Sequence, residues 1–295
     1  MRNGVLVINK PMGPTSHDVV NQIRRSWPGK VGHTGTLDPQ ATGVLPLMLG
    51  RATRLMRFFS HSDKVYEAQI RLGRTTDTYD AQGQVTAEGV VPDQNREQCL
   101  RLLSEFEGTV QQLPPMYSAV KVGGRRLYKE ARAGREVLRA PREVTFYSIQ
   151  LLQQQPDCWK LHVHCSSGTY LRTLAHDIGQ KLGCGAHLEG LTRLSSGQFE
   201  LDQAVSPTDS TDIWLQEMIP LEELLPDLPR LDLTQEEANR ITHGNAVLFN
   251  RGKPAHYRLF YLGLVYAIGR MEKGYLQPFV VLRTELVSGQ DKQHG

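Results

Sequence analysis

Asp38 is the residue of this chain whose setting most invites a chemical role. It lies within Gly32-His33-Thr34-Gly35-Thr36-Leu37-Asp38-Pro39-Gln40-Ala41-Thr42-Gly43, where one acid is surrounded by three glycines, four threonine or alanine residues and a proline. Glycine permits backbone conformations closed to other residues, and Pro39 fixes its own φ and biases Asp38 toward extended backbone. The stretch therefore reads as a rigid mount for one carboxylate, which can act as a nucleophile, a general base or a metal ligand. The bland alternative is a turn aspartate that bonds nearby backbone N–H groups.

Arg172 is the first candidate to work with it. If Thr169 caps a helix over 170–182, Arg172 falls in the first turn, off the apolar stripe of Leu171, Leu174, Ala175, Ile178 and Leu182. A cation there meets the positive end of the helix dipole, so a carboxylate partner is expected. Tyr66 sits on the apolar face of an alternating segment, where core packing is the default. His33, five residues before Asp38, is by itself more readily structural than catalytic. His162 and His164 share a strand face, but no third ligand is evident, so no metal site is expected. Gly123-Gly124-Arg125 lacks phosphate-loop spacing, and no GxGxxG motif opens a helix.

Further blocks stand in order along the first 200 residues or so: Lys10-Pro11 with Gly13 and Thr15-Ser16, Lys64-Val65-Tyr66-Glu67-Ala68, Leu72-Gly73 with Thr76-Asp77, Pro115-Met116-Tyr117-Ser118-Ala119-Val120-Lys121, Gly168-Thr169-Tyr170-Leu171-Arg172-Thr173-Leu174, and Gly183-Cys184-Gly185-Ala186-His187-Leu188. Together with the Asp38 loop, this ordered set resembles the TruB-type tRNA pseudouridine synthases, specifically their bacterial pseudouridine-55 branch. The resemblance implies an isomerase that converts uridine to pseudouridine in the T arm of tRNA, with Asp38 as catalytic residue, Arg172 orienting it and Tyr66 stacking on the target uracil. Tyr170 and Leu191 match positions lining the same pocket. His33 matches a residue that fills the space left by a flipped-out base. Lys10 and Lys121 are candidates for RNA contacts. Pseudouridylation breaks a C–N glycosidic bond and joins C5 of the same base to the ribose. The carboxylate can attack the base or act at the sugar, and neither route asks for a metal or an organic cofactor.

Composition is that of a globular protein, with 34 Lys and Arg against 31 Asp and Glu in 295 residues. The net charge of +3 says little, but its distribution says more. Eight cations lie between Lys121 and Arg142 against Glu130 and Glu136, with Tyr128 among them, and Arg51, Arg54 and Arg57 recur at helical spacing. Such stripes suit a phosphate backbone or a solvated cationic face. The four cysteines show no CxxC pairing, which favours reduced thiols. The apolar runs Val5–Ile8 and 259–268 are too short for a signal-peptide core or a membrane span, so a cytoplasmic location is expected.

The elements that must position these residues read as α+β. Strands are expected over 4–9 and 64–72 and in a hairpin of 144–152 with 158–165, and 43–49 is a further apolar run; helices are expected from a capping box at Thr15 and Asp18, over 93–107 and over 170–182. Irregular alternation points to a mixed, largely antiparallel sheet flanked by helices, which the resemblance makes a pseudouridine synthase fold. Pro220, Pro226 and Pro229 suggest a boundary, giving a catalytic domain over 1–229 and a small β-barrel, PUA-like RNA-binding domain over 230–295. A chain ending at residue 229 is expected to stay folded and to bind tRNA more weakly. The expected partner is tRNA, with no guide RNA, no membrane and a monomeric state. Two rivals remain: a guide-RNA-dependent synthase subunit, and a non-catalytic RNA-binding or RNA-folding protein.

Overall fold

The computed structural model describes residues 3–118, 121–122, 124–127, 130, 135, 137–249 and 255–286, without the side chains of 121, 122, 125 and 126. β1 (Gly4–Lys10) leads through a Pro-Gly turn into α1 (Ser16–Ser26), whose cap is the expected box: Asp18 N donates to the Thr15 hydroxyl and Thr15 N to the Asp18 carboxylate. Such a cap contributes about 0.5–2 kcal/mol. β2 (Val31–His33) and β3 (Thr42–Leu49) flank the Asp38 loop. A 3-10 turn (Gly50–Leu55) runs into α2 (Met56–Phe59), then β4 (Lys64–Leu72), the short hairpin of β5 (Arg74–Thr76) and β6 (Val85–Glu88), and α3 (Arg96–Ser104). The helix expected over 93–107 is shorter because Asn95 and Gln98 form a second capping box and fix its start.

β7 (Gly108–Gln112) is followed by two-residue strands β8 (Lys121–Val122) and β9 (Arg125–Arg126), the hairpin of β10 (Arg142–Gln154) and β11 (Cys158–Cys165), α4 (Leu171–Leu182), β12 (Ala186–Ser196) and β13 (Phe199–Glu200). α5 (Thr211–Gln216) and β14 (Ile219–Pro220) close the first unit. Its sheet runs β14-β1-β3-β12-β4-β11-β10-β7, with β2 beside β3 and β13 beside β12. Pairing is antiparallel throughout except between β3 and β12. One face packs Val19, Val20 and Ile23 of α1 and Leu171, Leu174 and Ile178 of α4 against Leu6, Leu45, Ala68 and Ile70 of the strands.

β12 was not anticipated. Bulges at Leu188/Gly190 and Arg193/Ser195 break its alternation, and it places a charged residue, Arg193, at 1% exposure. The strand is nonetheless central, because it joins β3 in parallel to β4 in antiparallel.

The second unit contains β15 (Arg230–Asp232), α6 (Gln235–Thr242), β16 (Val247–Leu248), β17 (His256–Tyr261), β18 (Leu264–Glu272) and β19 (Tyr275–Val281), in a five-stranded sheet ordered β15-β17-β18-β19-β16. Its own core holds Leu233, Ala238, Ile241, Leu259 and Leu276. A further cluster crosses between the units: Val5, Val7, Val44 and Met48 pack with Phe260, Val265, Ile268 and Val280. Arg51 donates to Leu282 O at 2.9 Å, Arg54 donates to Val281 O, and Arg57 lies over the Phe279 ring at 4.8 Å. This corrects the phosphate-stripe reading of these three arginines, which fasten the second unit to the first. The first unit therefore shares apolar surface that a chain ending at residue 229 would expose.

Gly43 marks a tight point of the sheet. It adopts φ +96°, and a Cβ there would meet Arg193 O at 2.2 Å. Gly43→Ala combines backbone strain with a backbone clash and is expected to destabilise the protein by about 2–4 kcal/mol. Urea unfolding of the variant beside the wild type measures this, and an unchanged midpoint would refute it.

Candidate active site

The Asp38 loop is held from three sides. Ser16, at the start of α1, accepts from Leu37 N at 2.8 Å and donates to Leu37 O at 2.9 Å. Lys10 Nζ donates to the carbonyls of Pro11, Pro39 and Ala41 at 2.8, 3.0 and 2.8 Å. Arg193 donates to Val44 O at 2.7 Å, to Gly35 O at 3.1 Å and to Thr36 O at 3.4 Å. The carbonyls around Asp38 are thus tied to buried cations, and the carboxylate is left to project into a cleft of about 960 Å³.

Arg172 meets it there. Its Nη2 lies 3.0 Å from Asp38 Oδ2 and donates to Tyr117 O at 2.8 Å, while Nη1 lies 3.5 Å from Asp80 Oδ2. The Arg172 side chain is 6% exposed and that of Asp38 39%, so the guanidinium is a fixed element of the wall and the carboxylate faces the opening. The N-cap of α4 is Tyr170, not Thr169; the Thr169 hydroxyl instead donates to Ser166 O. Gln112 of β7 instead clamps the backbone of the N-cap residue, accepting from Tyr170 N at 2.8 Å and donating to Tyr170 O at 3.1 Å.

The walls displace bulk water and push the Asp38 carboxyl above its ordinary pKa; Arg172 opposes that shift, Asp80 adds to it and Lys10 opposes it. Burial lowers Lys10 and Lys64 to about 8 each. Burial raises the Tyr66 phenol, which keeps it protonated. Tyr66, on β4 between β12 and β11, is 8% exposed and forms part of the cleft lining with Leu191 and Tyr170. His33, half-buried at the end of β2, lines the same cleft, and burial lowers its pKa.

Asp38, Arg172, Tyr66, Tyr170, Leu191 and His33 are therefore brought to one cleft. Lys10 is not: it is fully buried with all its bonds given to carbonyls, which corrects its assignment as an RNA contact. The side chain of Lys121, and Tyr128, Lys129 and Arg132 of the basic segment, lie outside the described residues. Sequence reasoning missed Asp80, Gln112 and Arg193. Asp80 sits in a polar turn, and the other two look like strand-surface residues until the fold buries them. Among the described residues, no group of three His, Cys, Asp or Glu is placed to hold a metal ion, and no helix is long and apolar enough to cross a membrane.

Residues 23–171 match the profile of the TruB family pseudouridylate synthase N-terminal domain, and 172–228 that of the tRNA pseudouridylate synthase B C-terminal domain. The chain belongs to the TruB family. This TruB-family chain is 43% identical over 277 residues to the tRNA pseudouridine synthase B of Dechloromonas aromatica, covering 92% of each protein. It is 46% identical over 248 residues to that of Solibacter usitatus, covering 82% of this chain and 85% of the relative. Among solved structures it resembles a chain of a Cbf5–Nop10–Gar1 complex, with TM-score 0.72, 26% identity and coverage of 95% of this chain and 85% of the other. A chain of an H/ACA RNP bound to a substrate RNA is similar at TM-score 0.70 and 25% identity, over 95% of this chain and 85% of the other. The pseudouridine synthase fold is thus common to all of them.

The raised Asp38 pKa has a consequence for stability. Between the ordinary carboxyl pKa of 3.8 and the higher folded value, the folded state binds more protons than the unfolded state, so stability falls as pH rises through that window and stays lower above it. Asp38→Asn mimics the neutral form. It is expected to raise Tm at pH 7, and the advantage over wild type should vanish once the pH is below 3.8. A variant less stable than wild type at pH 7 would show that the ion pair outweighs the burial of the charge.

Proposed function

We propose that the chain is a stand-alone tRNA pseudouridine-55 synthase that isomerises the T-arm uridine through Asp38. The observation that carries this reading is the Asp38–Arg172 pair at 3.0 Å, with the carboxylate turned into the cleft that Tyr66, Tyr170 and Leu191 line. In the reaction the bond between N1 and the ribose C1′ breaks, the base turns within the pocket, and C5 joins C1′. The C5 hydrogen leaves as a proton and N1 gains one, so composition is unchanged. Asp38 acts as the nucleophile on the flipped-out nucleotide. Arg172 opposes the upward shift that burial imposes on it and keeps it aimed, and Tyr66, neutral because buried, offers a ring face for the uracil. His33 is assigned to the space vacated by the base, at the mouth of the cleft.

We assign residues 1–229 to the catalytic unit and 230–295 to a PUA-like RNA-binding unit; the five-stranded sheet with α6 against it supports the assignment. The enzyme is taken to work as a cytoplasmic monomer on tRNA alone, without guide RNA, metal or organic cofactor. The likeness to Cbf5-containing complexes makes guide dependence the competing reading.

The deciding experiment measures pseudouridine on an unmodified tRNA transcript with no guide RNA and no added metal. Wild type is expected to modify the T-arm uridine, and Asp38→Asn to form no detectable product while still binding tRNA. Arg172→Lys is expected to lose at least about a hundredfold in turnover while staying folded, because an ammonium cannot reproduce the planar fork. Tight binding without product from wild type would overturn the stand-alone reading, and wild-type turnover in Arg172→Lys would remove that residue from the chemistry.

A further inference from the structure

Asp80 approaches Arg172 at Nη1, while Asp38 pairs with Nη2, and the turn that carries Asp80 has an unusual backbone. Tyr79, the residue just before, adopts φ +62°, a left-handed conformation that disfavours side chains with a Cβ. Its backbone is fully used: Tyr79 N donates to Thr76 O at 3.2 Å, and Leu188 N of β12 donates to Tyr79 O at 3.0 Å. The Asp80 carboxylate accepts from the Thr78 hydroxyl at 2.6 Å and from Gln82 N at 3.1 Å.

The Tyr79 ring does not fold back on its own turn. It stacks on His176, with ring centroids 4.0 Å apart and planes within 14° of parallel. His176 lies four residues beyond Arg172 on α4, one turn along the same face. One helix therefore supplies both the guanidinium that Asp80 faces and the ring on which the Asp80 turn rests. Among the described residues, Nδ1 of His176 is buried without a hydrogen bond, so the stacked face is the ring's main contact with the Asp80 turn. Burial also lowers the His176 pKa, which keeps that plate uncharged.

We propose that Tyr79 and His176 form a positioning pair that clamps the Asp80 turn to α4 and so fixes Arg172 at its Nη1 end. The pair touches no substrate. It acts through Asp80 on Arg172, and through Arg172 on the direction of the Asp38 carboxylate. The inference rests on the proposed role of Asp38 and Arg172 and adds a device that this chain builds from a tyrosine in a strained conformation.

The test uses the full-length enzyme with His176→Ala, His176→Phe, Tyr79→Asn and the double variant His176→Ala/Tyr79→Asn. Asparagine tolerates the left-handed backbone and removes the ring. His176→Ala and Tyr79→Asn are each expected to lower kcat about tenfold, with KM for tRNA within about twofold of wild type. The double variant should fall no further than either single one, and His176→Phe, which keeps a flat ring, should stay within about twofold of wild-type kcat. Hydrogen–deuterium exchange without RNA should rise over residues 76–83 in His176→Ala and remain at the wild-type level in His176→Phe. Wild-type kcat and exchange in His176→Ala would overturn the proposal. So would a His176→Phe variant as slow as His176→Ala, or a change confined to KM. If wild type itself forms no pseudouridine, the functional reading fails, and the exchange measurement alone then judges the clamp.

Discussion

The structure is organised around one electrostatic problem: a half-exposed carboxylate and a buried guanidinium must face each other in a cleft whose walls displace part of the surrounding water. Taking charges out of water is unfavourable by several kcal/mol per ion, and their attraction offsets this only when the geometry is well determined. Arg172 meets that condition through a helix packed on the main core and through its bonds to Tyr117 and toward Asp80. Asp38 meets it differently. Its loop has little apolar side-chain mass of its own, so its conformation is set by donors aimed at its carbonyls: the Ser16 hydroxyl, the Lys10 ammonium and the Arg193 guanidinium. Lys10 and Arg193 are themselves almost fully buried, so freeing a loop carbonyl would strand a cation in the interior. That coupling makes the loop stiff.

Much of this arrangement was legible in the sequence, and the parts that were not share a cause. The Asp38 loop stood out because Gly, Pro and small residues carry local backbone meaning. The capping box at Thr15 and the alternation of β4 are likewise local signals, and both appear where expected. β12, Asp80, Gln112 and Arg193 depend on neighbours that are remote along the chain. Arg193 looks like a surface residue of a broken alternation, yet its bonds reach about 150–160 residues back to the Asp38 loop. Gln112 clamps the backbone of Tyr170, 58 residues away, at the helix start where the local choice was Thr169. The arginines at 51, 54 and 57 had the right spacing for a shared face, but spacing alone does not say whether a phosphate or the protein's own carbonyls will occupy it.

The two units are also less separable than proline punctuation suggests. β3 carries the Asp38 loop at one end, β1 ends on the Lys10 that holds it, and both strands present on their outer face the residues that pack on Phe260, Val265 and Val280. Strands that are apolar on both faces, as Val5 to Ile8 are, need a cover on each. The second unit is that cover, so its docking supports the same strands that hold the catalytic loop in place.

The treatment of charge finally constrains how RNA can enter. The lysine and arginine side chains among the described residues lining the cleft are Lys64, Arg172 and Arg193, each at most 5% exposed and each bonded to carbonyl or carboxylate oxygens. A phosphate in the cleft would find these cations already committed and would lie beside the open Asp38 carboxylate. An uncharged uracil avoids that repulsion and gains the ring surfaces of Tyr66 and Tyr170. Under the proposed function, the cleft takes a base extruded from its strand. On that reading, phosphate contacts fall outside the cleft, because its own cations are already bonded.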